Sequence, residues 1–255
     1  MGRSAARAAA AVLSAGDREF GSIVTTIAKS LAWAAPEPVR RMLEKTDFQL
    51  NDLLAGQADI FIVVPLDMVD AQSVFLRLMI NIVTGAIVRE SGRRNLPKPL
   101  LLVLDEFVRL GRMETLLNIA TVGAGVGIEA LFVTQDLGQV EQVYGKGDAN
   151  TLLGACATTR VFGLGRTETA TAERLVAGFG DKTVEIQSAS REDERKGSRS
   201  EQKTKLFTVA DLLEMPLTDM IAMFAGKPPL RLKLIVSHDD RAYRDKLDKN
   251  PTLRV

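Results

Sequence analysis

Two adjacent acids carry the first chemical signal in the chain. Asp105 and Glu106 directly follow Leu100-Leu101-Leu102-Val103-Leu104, and an apolar run ending in carboxylates has the pattern of a buried parallel strand that opens at its carboxyl end. An aspartate in that position can hold Mg²⁺, directly or through water, beside a nucleotide phosphate. A glutamate next to it can orient or deprotonate an attacking water. The same two acids also suit the solvated start of a helix, and the stretch alone leaves both readings open. Gln135 closes a second apolar run that begins at Ile128. Its amide both donates and accepts, so it can bridge a phosphate oxygen and a water, or it can serve only to end the strand.

What is missing narrows the chemistry. A phosphate loop of the form G-x-x-x-x-G-K-[ST] occurs nowhere in the 255 residues; Gly145-Lys146-Gly147 lacks both the first glycine and the hydroxyl after lysine. Gly123, Gly125 and Gly127 precede a strand, whereas a dinucleotide-binding loop follows one. His238 is the single histidine and Cys156 the single cysteine, which excludes a histidine cluster, an internal disulfide and a cysteine-rich metal site. A hydrophobic share of 46% with 25% charged residues describes a foldable chain rather than a disordered tail. The net charge of +1 neither requires nor excludes nucleic-acid contact, because a basic patch can sit on a neutral whole.

The elements that must position these residues follow from periodicity and from turn signals. Residues 1–46 read as helical: residues 5–13 are rich in alanine, and Ile23, Ile27, Ser30 and Leu31 recur at helical spacing before Trp33 and the break at Pro36 and Pro38. Residues 60–64 read as an interior strand ended by Pro65. Phe75, Leu78, Met79, Ile82, Val83, Ala86 and Ile87 form a helical stripe expected to pack on one sheet face. The acidic strand, a helix carrying Leu116, Leu117, Ile119 and Ala120, and the strand ending at Gln135 make a βαβ unit of a doubly wound sheet.

Beyond Gln135 the expected order is a short mixed segment over 137–144, a helix over 149–157 burying Cys156, a strand over 160–165 and a helix over 169–177. Residues 188–205 are hydrophilic and read as a solvated loop. Thr208 with Asp211 forms a capping-box variant, and Gly226-Lys227-Pro228-Pro229 joins two closing strands. No apolar run is expected to reach the length of a membrane span.

Four blocks in fixed order resemble a known family. Leu101 to Phe107 with Leu110-Gly111-Arg112, then Thr134-Gln135-Asp136-Leu137-Gly138-Gln139 with Tyr144-Gly145, then Thr159-Arg160-Val161-Phe162, then Gly226-Lys227-Pro228-Pro229 are similar to motifs of the coupling proteins of type IV secretion and conjugation. Those are membrane-anchored hexameric ATPases related to DNA-pumping motors. The resemblance implies an α/β, RecA-like, doubly wound and mostly parallel sheet, incomplete here, with an amino-terminal helical segment. Residues 1–46 would end a helical subdomain, 47–240 would be the carboxyl-terminal part of the motor domain without its phosphate loop, and 241–255 a charged tail.

It further implies Asp105 as the Mg²⁺-side carboxylate, Glu106 as the catalytic carboxylate and Gln135 as a sensor of the terminal phosphate, with ATP and Mg²⁺ as cofactors. The implied partners are DNA or a relaxase–DNA complex and type IV secretion channel proteins. The complete protein would be a homo-hexamer at the cytoplasmic face of the bacterial inner membrane, and this segment soluble. Arg93 and Arg94, or the loop over 191–205, would be candidates to line a DNA channel.

Two departures from the family bear on activity. Without a phosphate loop the chain alone is expected to hydrolyse ATP poorly or not at all, as the carboxyl-terminal part of a longer protein or the product of a truncated gene. Where the family places an arginine that reaches a neighbouring nucleotide stands Ala124; Arg112 and Arg160 are the nearest substitutes, or else structural ion-pair formers. Two competing functions remain: a catalytically inactive docking module that retains the motor fold, and an unrelated metal-dependent hydrolase using Asp105 and Glu106.

Overall fold

The structure, a computed structural model, describes residues 16–46, 48–93, 96–188 and 198–246 and isolated positions before residue 16. It divides into two compact units, Met1–Val133 and Thr134–Val255.

The first unit runs α1 (Asp17–Leu31), α2 (Glu37–Leu43), α3 (Leu50–Leu54), α4 (Val69–Ser91), β1 (Leu100–Leu104), α5 (Glu114–Val122) and β2 (Ile128–Phe132). The alanine-rich stretch over 5–13 lies mostly outside the described residues. Trp33 stacks 5.8 Å from Phe75, and the Gln72 amide donates to the Trp33 carbonyl at 3.3 Å. These contacts orient α4. Its buried side carries Phe75, Ile80, Thr84 and Ile87, while Leu78 and Ile82 of the expected stripe are exposed. A helix apolar on nearly every side leaves its orientation to packing, and here Asn81 accepts a hydrogen bond from Thr115 of α5 at 2.6 Å. Helix α4 packs on the 3-10 turns Phe107–Leu110 and Gly123–Val126 that flank the strands. By length and composition it is apolar enough to cross a membrane, with a mean hydropathy of 1.6 over an 18-residue window, against expectation; Phe75, Ile80 and Ile87 are nonetheless buried within the unit.

Residues 60–64 form no strand. No described strand pairs with them, and Phe61 and Val63 are 86% and 88% exposed. Apolar, β-branched composition suits a strand, but only a neighbour's backbone makes one.

Strands β1 and β2 pair in parallel, Leu100 opposite Ile128 through Leu104 opposite Phe132. Helix α5 makes the crossover between them, as the βαβ pattern predicts, with Leu116 and Ile119 buried beneath it. Gly123 permits the close return, since a Cβ there would stand 3.1 Å from the Ile128 carbonyl oxygen and 3.2 Å from Ile119 Cγ2.

The carboxyl end of β1 has an unusual path. Val133 N–H donates to Leu104 O at 3.0 Å, and Val133 O accepts from Phe107 N–H at 3.2 Å. Leu104 and Phe107 therefore share one partner, and Asp105 and Glu106 are pushed out of the ladder between them. Glu106 is left-handed (φ 49°, ψ 48°), alone among the described non-glycine residues in having a positive φ. That conformation costs about 1–2 kcal/mol for a residue with a Cβ. Phe107 offsets it: the ring is 1% exposed and lies edge-on to Phe132 at 5.3 Å.

The second unit runs α6 (Leu137–Ala155), β3 (Thr158–Val161), α7 (Thr169–Phe179), β4 (Asp181–Ser188), β5 (Ser198–Lys205), α8 (Val209–Leu213), β6 (Asp219–Phe224), β7 (Leu230–Lys233) and α9 (Arg241–Arg244). Its described strands are antiparallel, in the order β3-β6-β7 and as a separate β4-β5 ribbon. The sheet content of the chain is thus mixed, and the expectation of a mostly parallel sheet is corrected. Part of the hydrophilic run expected as a loop is β5, whose backbone pairs with β4 despite its polar sequence; residues 189–197 lie outside the described residues.

The span α6 is two helical segments that meet at Gly145, whose φ 77° and ψ 156° are non-helical, so the expected break between residues 137–144 and the following helix is present. Cys156 stands just past its end, half-buried rather than buried. Val161, Ala172, Leu175, Val176, Phe179, Leu212 and Ile221 form the core. The capping box at Thr208 and Asp211 and the hairpin through Gly226 (φ +71°) are as the sequence predicts.

Asp219, 4% exposed, ties this hairpin together. Its carboxylate takes a hydrogen bond from Lys233, one from Thr218 at 3.0 Å and one from Arg231 at 2.9 Å. Led by the Lys233 bond, these hold its pKa down at about 2. A depressed carboxylate stabilises the fold above its unfolded pKa, and that stabilisation is lost as the pH falls through the folded value. Asp219→Asn is therefore expected to lower the urea midpoint near neutral pH, and the gap from the parent to close between about pH 4 and about pH 2. At the β1 turn, Glu106→Gly is expected to raise stability by about 0.5–1.5 kcal/mol in urea unfolding, and Glu106→Val to lower it by about 1–2 kcal/mol.

Candidate functional site

The extruded turn presents its acids to solvent. Asp105 is exposed and Glu106 half-buried, and neither side chain has an ion pair or hydrogen bond among the described residues. The parallel pairing of β1 and β2 brings both carboxyl ends to one edge. From β2 the chain continues through Val133, and Gln135 stands two residues on, at the start of the second unit.

Gln135 is exposed, and the turn that carries it is fixed by its neighbour. Asp136 caps α6, accepting from Gly138 N–H at 2.8 Å and from the Thr171 hydroxyl at 3.2 Å, while Thr134 Oγ1 donates to Asp136 O at 3.2 Å. Sequence reasoning passed over Asp136 as a positioning residue. The signal was present as an aspartate two residues before a glycine at a helix start.

The candidate cations differ in availability. Arg109 stands 3.8 Å from Asp70, an exposed pair that contributes about 0–1 kcal/mol. Arg112 meets Glu114 Oε1 through Nε at 2.9 Å and Nη2 at 2.7 Å, which ties it to the first turn of α5. Arg160 is exposed on β3 opposite Ala222, with no ion pair among the described residues. Ala124 is exposed on the turn Gly123–Val126, and its methyl supplies no charge. Of the channel candidates, Arg93 stands 3.8 Å from Glu90; Arg94 and residues 191–197 lie outside the described residues.

No group of three or more histidine, cysteine or acidic residues that could hold a metal forms among the described residues. That leaves the metal-hydrolase reading without converging ligands. Two adjacent acids without other partners among the described residues do suit Mg²⁺, which typically takes one or two carboxylates and completes its shell with phosphate oxygens and water.

The chain is 29% identical over 217 residues to the conjugal transfer protein TraG of Rhizobium radiobacter, covering 83% of this chain and 33% of that protein. It thus spans about a third of the length of that curated relative. Among solved structures, the bacterial conjugative coupling protein TrwBdeltaN70 has the same α/β, RecA-like fold, with a TM-score of 0.71 at 24% identity over 87% of this chain and 51% of that one. TrwB in complex with ADP and Mg²⁺ matches with a TM-score of 0.65 at 24% identity, over 87% of this chain and 50% of that one. The family model described as "Type IV secretory system Conjugative DNA transfer" matches residues 3–254. By that match across nearly the whole chain, the protein belongs to the type IV secretory system conjugative DNA transfer family.

Proposed function

We infer that this chain is part of an ATP-driven coupling protein that links a DNA substrate to a type IV secretion channel. The observation that carries the reading is the extruded Asp105-Glu106 turn at the carboxyl edge of a parallel strand pair, where α/β folds of this kind hold nucleotides. Asp105 would hold Mg²⁺, which supplies neutralising charge beside the phosphates. Glu106, held aside from the ladder by its left-handed backbone, orients the attacking water and accepts its proton. Gln135 uses its donor and acceptor to sense the terminal phosphate.

The complete protein would work as a homo-hexamer at the cytoplasmic face of the inner membrane. It would grip DNA, free or as a relaxase complex, through phosphates rather than bases. In this arrangement residues 1–46 end a helical subdomain and residues 47–240 belong to the motor domain. TrwB bound to ADP and Mg²⁺ supports the cofactor assignment.

A second reading has its own observation. The absence of any G-x-x-x-x-G-K-[ST] loop from the 255 residues favours, for this chain taken alone, a docking module that keeps the motor fold without turnover. Kinetics separates the two. This chain alone is expected to show no ATP turnover, with or without single-stranded DNA. In a gene product that contains a phosphate loop, Glu106→Gln is expected to cut turnover by about 10²–10⁴-fold while ATP still binds. Unchanged turnover would remove the role given to Glu106. DNA affinity of that product is expected to fall steeply as salt rises, and salt-independent binding would contradict phosphate contacts.

A further inference from the structure

We propose that the second unit carries a pocket for a small amphiphile, with an aromatic or branched apolar body and one hydrogen-bond-accepting end. A cavity of about 430 Å³ opens among α6, α7, β3 and β6, within the range that small-molecule sites occupy. Leu153, Leu175, Met223 and Phe224 form its apolar wall.

Two glycines stand at its edge. Gly154 on α6 and Gly178 on α7 both line the cavity, and a Cβ added at either would meet nothing within 4 Å. Both are exposed and stand one residue before the end of their helices, so a larger side chain there has open space to extend over the cavity.

The polar end of the cavity selects the ligand's head. The Arg174 guanidinium donates to the Glu141 carboxylate and to the side-chain Oδ1 of Asn150. Glu141 offsets its charge, while Arg174 Nε–H and the Asn150 side-chain N–H₂ have no other partner among the described residues. Donors at the rim call for an acceptor, and a compensated arginine suits a neutral or singly charged head better than a polyphosphate. Cys156 forms part of the wall, its thiol donating to Leu152 O at 3.3 Å, and burial pushes its pKa up. As the only cysteine in the chain it reports occupancy without ambiguity.

The test uses the full chain and the fluorescent probe 1-anilinonaphthalene-8-sulfonate, an aromatic body with a single anionic head. Reaction of Cys156 with a disulfide reagent is timed with and without probe. At a probe concentration tenfold above its Kd, the reaction is expected to slow about tenfold. Gly154→Leu and Gly178→Leu, each compared with its own rate without probe, are expected to lose this protection while keeping the parent far-ultraviolet spectrum and an equal or higher Tm. Binding of the probe to other apolar surfaces does not move the Cys156 readout. Unchanged Cys156 reactivity in the parent, or full protection retained in both folded leucine variants, would overturn the pocket.

Discussion

A single backbone residue decides where the acids of this chain stand. By bonding to Leu104 on one side and Phe107 on the other, Val133 closes the end of the β1-β2 pair and leaves Asp105 and Glu106 no place in the ladder. Burial of Phe107 against Phe132 makes that closure stable enough to carry a left-handed glutamate. The apolar effect in the core thus supplies the energy that keeps two carboxylates in water. Strain of this kind is retained where it serves positioning, and a glycine at 106 would remove both the strain and the carboxylate.

The sequence made the βαβ unit legible because its signals were local and mutually consistent: five apolar residues before two acids, a helical stripe through Leu116 and Ile119, and glycines at the one close return. The capping box at Thr208 and the hairpin through Gly226 were legible for the same reason, since each depends on side-chain or backbone chemistry within a few residues. Asp105, Glu106 and Gln135 could be picked out as strand-end polar residues. The left-handed state of Glu106 could not, because it arises from a bond between Phe107 and a residue 26 positions later in the chain.

Where long-range partners decide, composition misled. Residues 60–64 have strand chemistry but no described partner, and β5 has loop chemistry but pairs over its full length. The direction of β3 is likewise invisible in its own four residues; only its pairing with β6 makes it antiparallel. Gly145 reads in the sequence as a break between elements, and its non-helical backbone separates the two segments of α6. The orientation of α4 depends on Trp33, Thr115 and the turns beneath it rather than on its own stripe.

The chain belongs to the conjugative DNA transfer family, and the proposed purpose of the acids after β1 and the amide after β2 is nucleotide chemistry. Metal-directed cleavage tests that purpose most directly. The product of the whole open reading frame is loaded with Fe²⁺ and ADP in place of Mg²⁺ and ADP, then exposed to ascorbate and peroxide, so that the backbone is cut where the metal sits. The account predicts nucleotide-dependent cuts beside Asp105 and Gln135. Cuts confined to other segments, or unchanged when the nucleotide is left out, would contradict it.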